Sequence, residues 1–315
     1  MKENRKVAND RKVTFGSRLK VDVKRNYPLY LLLLPVMVYY IIFYYKPMYG
    51  ALIAFKEYQP ALGISGSPWV GLEQFRKFFA NPDFVRILRN TLTISCSTII
   101  FGFPAPIILA LMFNELRNEK FKSIAQTISY LPHFISLVVV CGLVKSFVSP
   151  NGFIYDLVVA FGGEEQALLN RQELYVPIYV LSGIWQEVGW NSIIYIAALS
   201  GIDQELYEAA KIDGAKRWKQ TLHVTLPGIA PTIIIMLILK MGTLLSVGYE
   251  KTILLYNPLI YETSDIISSY VYRVGIGQQS WSYSSAVGLL NSLVNFAIIM
   301  TVNKISAKCS ETSLW

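Results

Sequence analysis

Ser200-Gly-Ile-Asp-Gln-Glu-Leu-Tyr-Glu-Ala-Ala-Lys-Ile-Asp-Gly-Ala-Lys-Arg-Trp-Lys-Gln-Thr-Leu-His-Val-Thr-Leu-Pro227 is a charged stretch set between two long apolar runs. Its local chemistry is that of two short helices joined by a turn. Asp203 is a good N-cap with Glu205 in the first turn, and Leu206, Ala209, Ala210 and Ile212 form an apolar face. Gly214 lets the chain turn, and Asp213 is expected to cap a second piece in which Ala215, Trp218 and Leu222 recur at helical spacing. Pro227 falls where the next helix begins and its missing N–H costs nothing. On residue chemistry alone this is an amphipathic connection on a membrane surface. The runs on either side make the chain an all-α polytopic membrane protein.

Working outward, six segments have the ~20 apolar residues that a crossing requires. They lie near Tyr27–Tyr45, Asn90–Phe113, Thr127–Val148, Tyr175–Leu199, Gly228–Val247 and Ser285–Ile305. The third is interrupted by Pro132 and His133, the fourth by the polar run from Trp185 to Asn191. Another apolar stretch, Ile253–Ile276, holds Asn257, Pro258, Glu262, Asp265 and Arg273 and reads as part of an amphipathic outer loop. Composition agrees with a membrane class. Of the 315 residues 53% are hydrophobic and 16% charged, where soluble domains carry about 25% charged. The net charge of +8 then reports orientation and contact with anionic lipid, not nucleic acid. Cys96, Cys141 and Cys309 are too scattered for a disulfide or zinc framework.

Nine Lys/Arg in residues 1–26 precede the first span, and no small-x-small cleavage site follows it, so that span reads as an uncleaved anchor. With the N-terminus inside, the inner segments hold eighteen Lys/Arg against nine outside. That asymmetry sets N-in/C-in. The organisation expected is a basic cytoplasmic tail over 1–26, a six-span domain over 27–305 and a cytoplasmic tail over 306–315. Outer loops occupy 46–89 and 249–283, and a cytoplasmic loop occupies 200–227.

Glu208-Ala209-Ala210, Gly214 six residues after the Glu, and Leu226-Pro227 resemble the EAA loop of bacterial ABC importer permeases, with Val224 where Ile is usual. Trp69-Val-Gly-Leu-Glu-Gln-Phe75, Pro82-Asp-Phe84, Asn90-Thr91 and Ala198-Leu-Ser-Gly-Ile-Asp203 are similar to the maltose-type carbohydrate branch. Asn26-Tyr-Pro-Leu-Tyr30, Pro47-Met-Tyr-Gly50 and the Tyr256–Gly275 segment look like its oligosaccharide and polysaccharide subgroup. The resemblance implies the type I importer permease fold in a bacterial cytoplasmic membrane. It implies a non-catalytic chain that pairs with a homologous second permease as a heterodimer. Two cytoplasmic ATPase subunits would carry ATP and Mg, and this chain no cofactor. An extracytoplasmic sugar-binding protein would deliver the oligosaccharide. Glu208, Ala209, Ala210, Asp213, Gly214 and Ala215 become the ATPase-docking set. Lys216, Arg217 and Lys219 suit either the ATPase or lipid headgroups.

No Gly-Lys dipeptide, and hence no P-loop, occurs in the chain, and no Gly-x-Ser-x-Gly elbow. A membrane enzyme is thereby disfavoured, while an ion-coupled secondary sugar transporter stays as the alternative. A charge at mid-bilayer costs roughly 2.5–3.5 kcal/mol, so each one needs an account. Glu187 and Lys240 each lie twelve residues from the inner end of their spans and so at matching depth, ~18 Å above it. Glu187, Asn191 and Tyr195 share one helical stripe, flanked by Trp185, Gln186 and Trp190. Aromatic faces and amide or carboxylate groups are what a sugar needs. Asn291 and Asn295, one turn apart on the last span, are further candidates. The competing reading is that these polar groups only bond to neighbouring helices. The subgroup resemblance points towards plant-wall fragments containing uronic acids, whose carboxylate Lys145 or Lys240 can pair.

Overall fold

The computed structural model describes residues 22–310 and 312–314; most of the expected N-terminal tail therefore lies outside the described residues. The chain divides after Leu52 into two compact units. In the first, Pro28 opens helix α1, Tyr27–Tyr40, at a position where no N–H is missed. None of its residues over Tyr27–Tyr40 is buried within the unit, and Tyr39, Tyr40, Phe43 and Tyr44 pack ring against ring at 5.1–5.9 Å.

The second unit is helical; among the described residues its only β pairing is an isolated bridge between Lys56 and Trp69. We number its principal helices in chain order. Helix α2 is Phe84–Glu115 and α3 is Glu119–Tyr130, N-capped by Asn118 Oδ1 accepting from Phe121 N at 3.1 Å. The run expected to cross at Thr127–Val148 is split instead. Pro132 starts a single 3-10 turn over Leu131–Phe134, and Ser136 then caps a new helix, α4, Leu137–Val148. After a turn in which Asn151 adopts φ 67°, α5 follows as Phe153–Ala160. Gly152 is required there, since a Cβ would sit 2.2 Å from Ser146 O.

Helix α6, Tyr175–Ser200, runs 26 residues, long enough at ~1.5 Å per residue to cross a bilayer. Helix α7, Gln204–Ile212, leads to α8, Arg217–Met241, which starts eleven residues before the span expected from Gly228 and stops before its expected end. The segment read as an outer loop folds into short helices, among them α9, Tyr249–Leu255, and α10, Ile267–Tyr272. Helix α11, Trp281–Ser310, closes the chain. Among the described residues, five stretches are long and apolar enough to cross a membrane: Tyr27–Phe55, Phe84–Glu115, Leu137–Ala160, Arg217–Met241 and Trp281–Ser310. The central polar run of α6 keeps it out of that set.

Helix α6 is the axis of the second unit. Its N-terminal half packs with Ile94, Cys141, Leu255 and Ile260; its C-terminal half packs with Ile107, Ala110 and Ile229. A third cluster joins Phe78 and Ile87 to Ile267, Tyr270 and Val287. Close approach depends on small residues, as is usual between helices in lipid. A Cβ on Gly189 would lie 2.0 Å from Ser129 O, so α3 and α6 touch backbone to backbone there.

Candidate functional site

The polar run that lowers the hydropathy of α6 lines a cavity of about 420 Å³. Gln186, Glu187, Asn191 and Tyr195 reach it from α6 and Lys240 from the last turn of α8. The depth argument thus places Glu187 and Lys240 on one cavity, but they are not an ion pair. Glu187 Oε2 lies 2.9 Å from His133 Nδ1, and the His133 ring stacks on Trp190 with centroids 4.4 Å apart and planes 2° from parallel. Phe134 meets the same indole edge-on at 5.5 Å. The turn that splits the expected third span therefore holds one face of α6. Gln186 Nε2 adds a bond of 3.5 Å to Ile135 O. Trp185 and Trp190 do not line the cavity; Trp190 serves it through His133 and Trp185 is exposed.

The sequence reading passes over the third charged residue of the lining. Lys251, on α9, is 7% exposed, donates to Tyr179 O at 2.8 Å and holds its ammonium 4.6 Å above the Tyr179 ring. It lies outside every candidate span. Burial lowers its pKa to about 8, partly offset by negative groups that include Glu187. The ammonium is still protonated at pH 7. Its sequence signal is faint: Lys251 shares an i, i+4 stripe with Leu255, so of the two charges on a short helix Lys251 falls on the buried face while Glu250 stays exposed.

The two asparagines of α11 are placed elsewhere. Asn295 Oδ1 accepts from Leu245 N at 3.0 Å and Asn295 Nδ2 donates to Ser246 Oγ at 2.8 Å, which fixes the chain beyond α8. Asn291 donates to the same Ser246 Oγ at 3.3 Å and borders a separate cavity of about 480 Å³ with Tyr249 and Trp281.

In the 200–227 loop, Asp203 Oδ1 accepts from Glu205 N at 3.0 Å, and Gly214 takes φ 74°. Asp213 does not cap the second piece. Helix α7 ends at Ile212 with Asp213 as its C-cap, and Lys216 precedes the first turn of α8 with no side-chain bond. Glu208, Ala209, Asp213 and Gly214 are exposed, while Ala210 and Ala215 are half-buried. Nothing lies within 4 Å of a Cβ built on Gly214. Ile212 and Trp218 are 87% and 77% exposed beside it. Arg217 reaches Glu115 at 3.4 Å.

A chain of apolar helices, with a polar cavity along its central helix and a surface loop left open, defines a multi-pass membrane transport component. The chain belongs to the family of binding-protein-dependent transport system inner membrane components, whose profile matches residues 102–307. It is 45% identical to the protein LplB of Bacillus subtilis (strain 168) over 93% of this chain and 92% of that one. It is 44% identical to the polygalacturonan/rhamnogalacturonan transport system permease YteP of the same organism, over 95% and 93%. Its fold matches a chain in the crystal structure of a bacterial alginate ABC transporter in complex with an alginate-pentasaccharide-bound periplasmic protein. That match has TM-score 0.87 and 42% identity, covering 94% of this chain and all of that one. The chain is therefore an ABC-type permease subunit of the inner membrane and not an enzyme, which removes the ion-coupled carrier alternative.

Proposed function

We propose that the chain forms the translocation path of an ATP-driven importer for oligosaccharides bearing uronic acids. The observation that carries this reading is the convergence of Gln186, Glu187, Asn191, Tyr195 and Lys240 on one cavity, which offers amide, carboxylate, phenol and ammonium groups to a sugar. Relatives that handle polygalacturonan, rhamnogalacturonan and alginate support the acidic class. Helix α6 serves as the sixth span, with both termini inside. The loop over 200–227 docks a cytoplasmic ATPase through Glu208, Ala209, Ala210, Asp213, Gly214 and Ala215, and exposed Ile212 and Trp218 supply its apolar contact. Two ATPase subunits carry ATP and Mg, a homologous second permease completes the path, and the segments 46–89 and 249–283 receive a sugar-binding protein.

Affinity purification of the tagged chain in mild detergent, with every co-purifying subunit identified by mass, tests this assembly. A second permease and a P-loop ATPase are expected; a lone chain refutes it. Gly214→Asp places a side chain in a left-handed backbone position at the open face. It is expected to abolish ATPase co-purification and ATP-driven uptake while the protein still reaches the membrane. Normal assembly and uptake in this variant would reject the docking set.

A further inference from the structure

We infer that Lys251 is the residue with which the cavity recognises a carboxylate of the passing sugar. This rests on the oligosaccharide reading above and assigns a specificity-determining residue within it. Three charged side chains line the cavity: Glu187, Lys240 and Lys251. Two ammonium groups against one carboxylate, itself bonded to His133 at 2.9 Å, leave the site net positive. An ammonium carries three donors, and the Tyr179 carbonyl at 2.8 Å takes one of Lys251's. The Tyr179 ring at 4.6 Å covers part of the rest. No carboxylate pairs with Lys251 among the described residues, although it is 7% exposed and faces the void. A buried charge of this kind is costly unless something neutralises it. A sugar carboxylate entering the void supplies that charge and a charge-assisted hydrogen bond.

The wall is shaped for this. Gly183, one turn beyond Tyr179 on α6, leaves a notch in which a Cβ would stand 3.1 Å from the Lys251 ammonium. Tying Lys251 to a main-chain carbonyl fixes its long side chain in advance, so little rotamer freedom is lost when the ligand arrives. A neutral sugar can accept a hydrogen bond from this residue but cannot form the ion pair, which makes Lys251 a selector for the acid.

The test uses the complete importer with its own binding protein in vesicles, and an oligogalacturonate against its methyl ester, which has the same shape without the charge. The binding protein is common to every arm, so its own preference cancels when variants are compared. Lys251→Gln keeps a donor for the Tyr179 carbonyl and removes the charge. It is expected to reduce the acid-to-ester ratio of kcat/KM about tenfold, chiefly through a higher KM for the acid. Lys251→Arg is expected to restore the ratio to within about threefold of wild type. Equal slowing of both sugars, or an unchanged ratio, overturns the assignment and leaves Lys251 a structural tie. If wild type carries neither sugar, the oligosaccharide reading itself falls. Should Lys251→Gln fail to assemble, reductive methylation of the wild-type complex decides by mass. Protection of Lys251 by the acid and not by the ester supports the inference, and equal labelling refutes it.

Discussion

Asp265 and Lys251 are both buried charges from the segment between α8 and α11, and their surroundings differ in one respect. Asp265, with no exposed surface, has both carboxylate oxygens hydrogen-bonded. Arg273 donates to Oδ1 at 3.0 Å and to Oδ2 at 2.6 Å, Ser269 Oγ donates at 2.9 Å, and Arg86 stands 3.6 Å away. The bonds to Asp265 push the Arg273 pKa above its ordinary value. Lys251 has one carbonyl, one aromatic face and a cavity. A cluster this fully bonded has little left to offer a ligand and acts as a lock between α2 and the segment that precedes α11. An unsaturated charge beside a void retains bonding capacity. Spare capacity, more than burial or charge, separates a ligand site from a structural one.

The sharpest way to break that comparison is Asp265→Ala. Removing Asp265 leaves the Arg273 guanidinium without its carboxylate, while Arg86 keeps Asp83 at 2.9 Å, and costs about 3–5 kcal/mol. The detergent-solubilised complex is expected to lose yield and to melt at a markedly lower temperature. If Asp265→Ala assembles and melts as wild type while its sugar selectivity changes, the lock and the site have been assigned the wrong way round.

How far the sequence reaches is visible in the same two residues. The apolar runs were legible because a bilayer demands ~20 of them, and the Asp203 cap and the Gly214 turn follow from local backbone chemistry. The meeting of Glu187 and Lys240 on one cavity followed from counting residues along two helices. Lys251 and Asp265 were illegible, because charges within 249–283 read as exposure to water. What internalises them is pairing that a linear reading does not show: Asp265 with Arg273 and, far back in the chain, Arg86, and Lys251 with Tyr179. His133 reads along the sequence only as an interruption of an apolar run, since its partner Glu187 is 54 residues away. Asp213 failed as a cap because α7 extends to Ile212 and takes Asp213 as its end.

A milder probe of the saturated class is Asn295→Ala. Its amide satisfies Leu245 N and Ser246 Oγ beyond α8, and deleting it strands a buried N–H at about 1–3 kcal/mol. A lower melting temperature with an unchanged KM for the sugar is expected. A raised KM at unchanged stability would return Asn295 to the transport path.

Glu187→Gln is expected to have the smallest effect on stability and for that reason sharpens the contrast most. Glu187 has a 41% exposed side chain at the cavity wall, so its amide isostere keeps the volume and an acceptor for His133 while losing the charge. Little stability depends on a pair this open to solvent. The melting temperature should move by less than about 2 °C, within the range of near-neutral surface changes. Transport should respond through KM, since a group that contacts the sugar equally before and during passage contributes to binding alone. His133 enters only through Glu187 and Trp190, so His133→Asn combined with Glu187→Gln should fall short of the product of the single effects. Independent, multiplicative effects would mean that His133 braces the fold without positioning the carboxylate. The turn at Leu131–Phe134 would then belong with Asp265, among the locks.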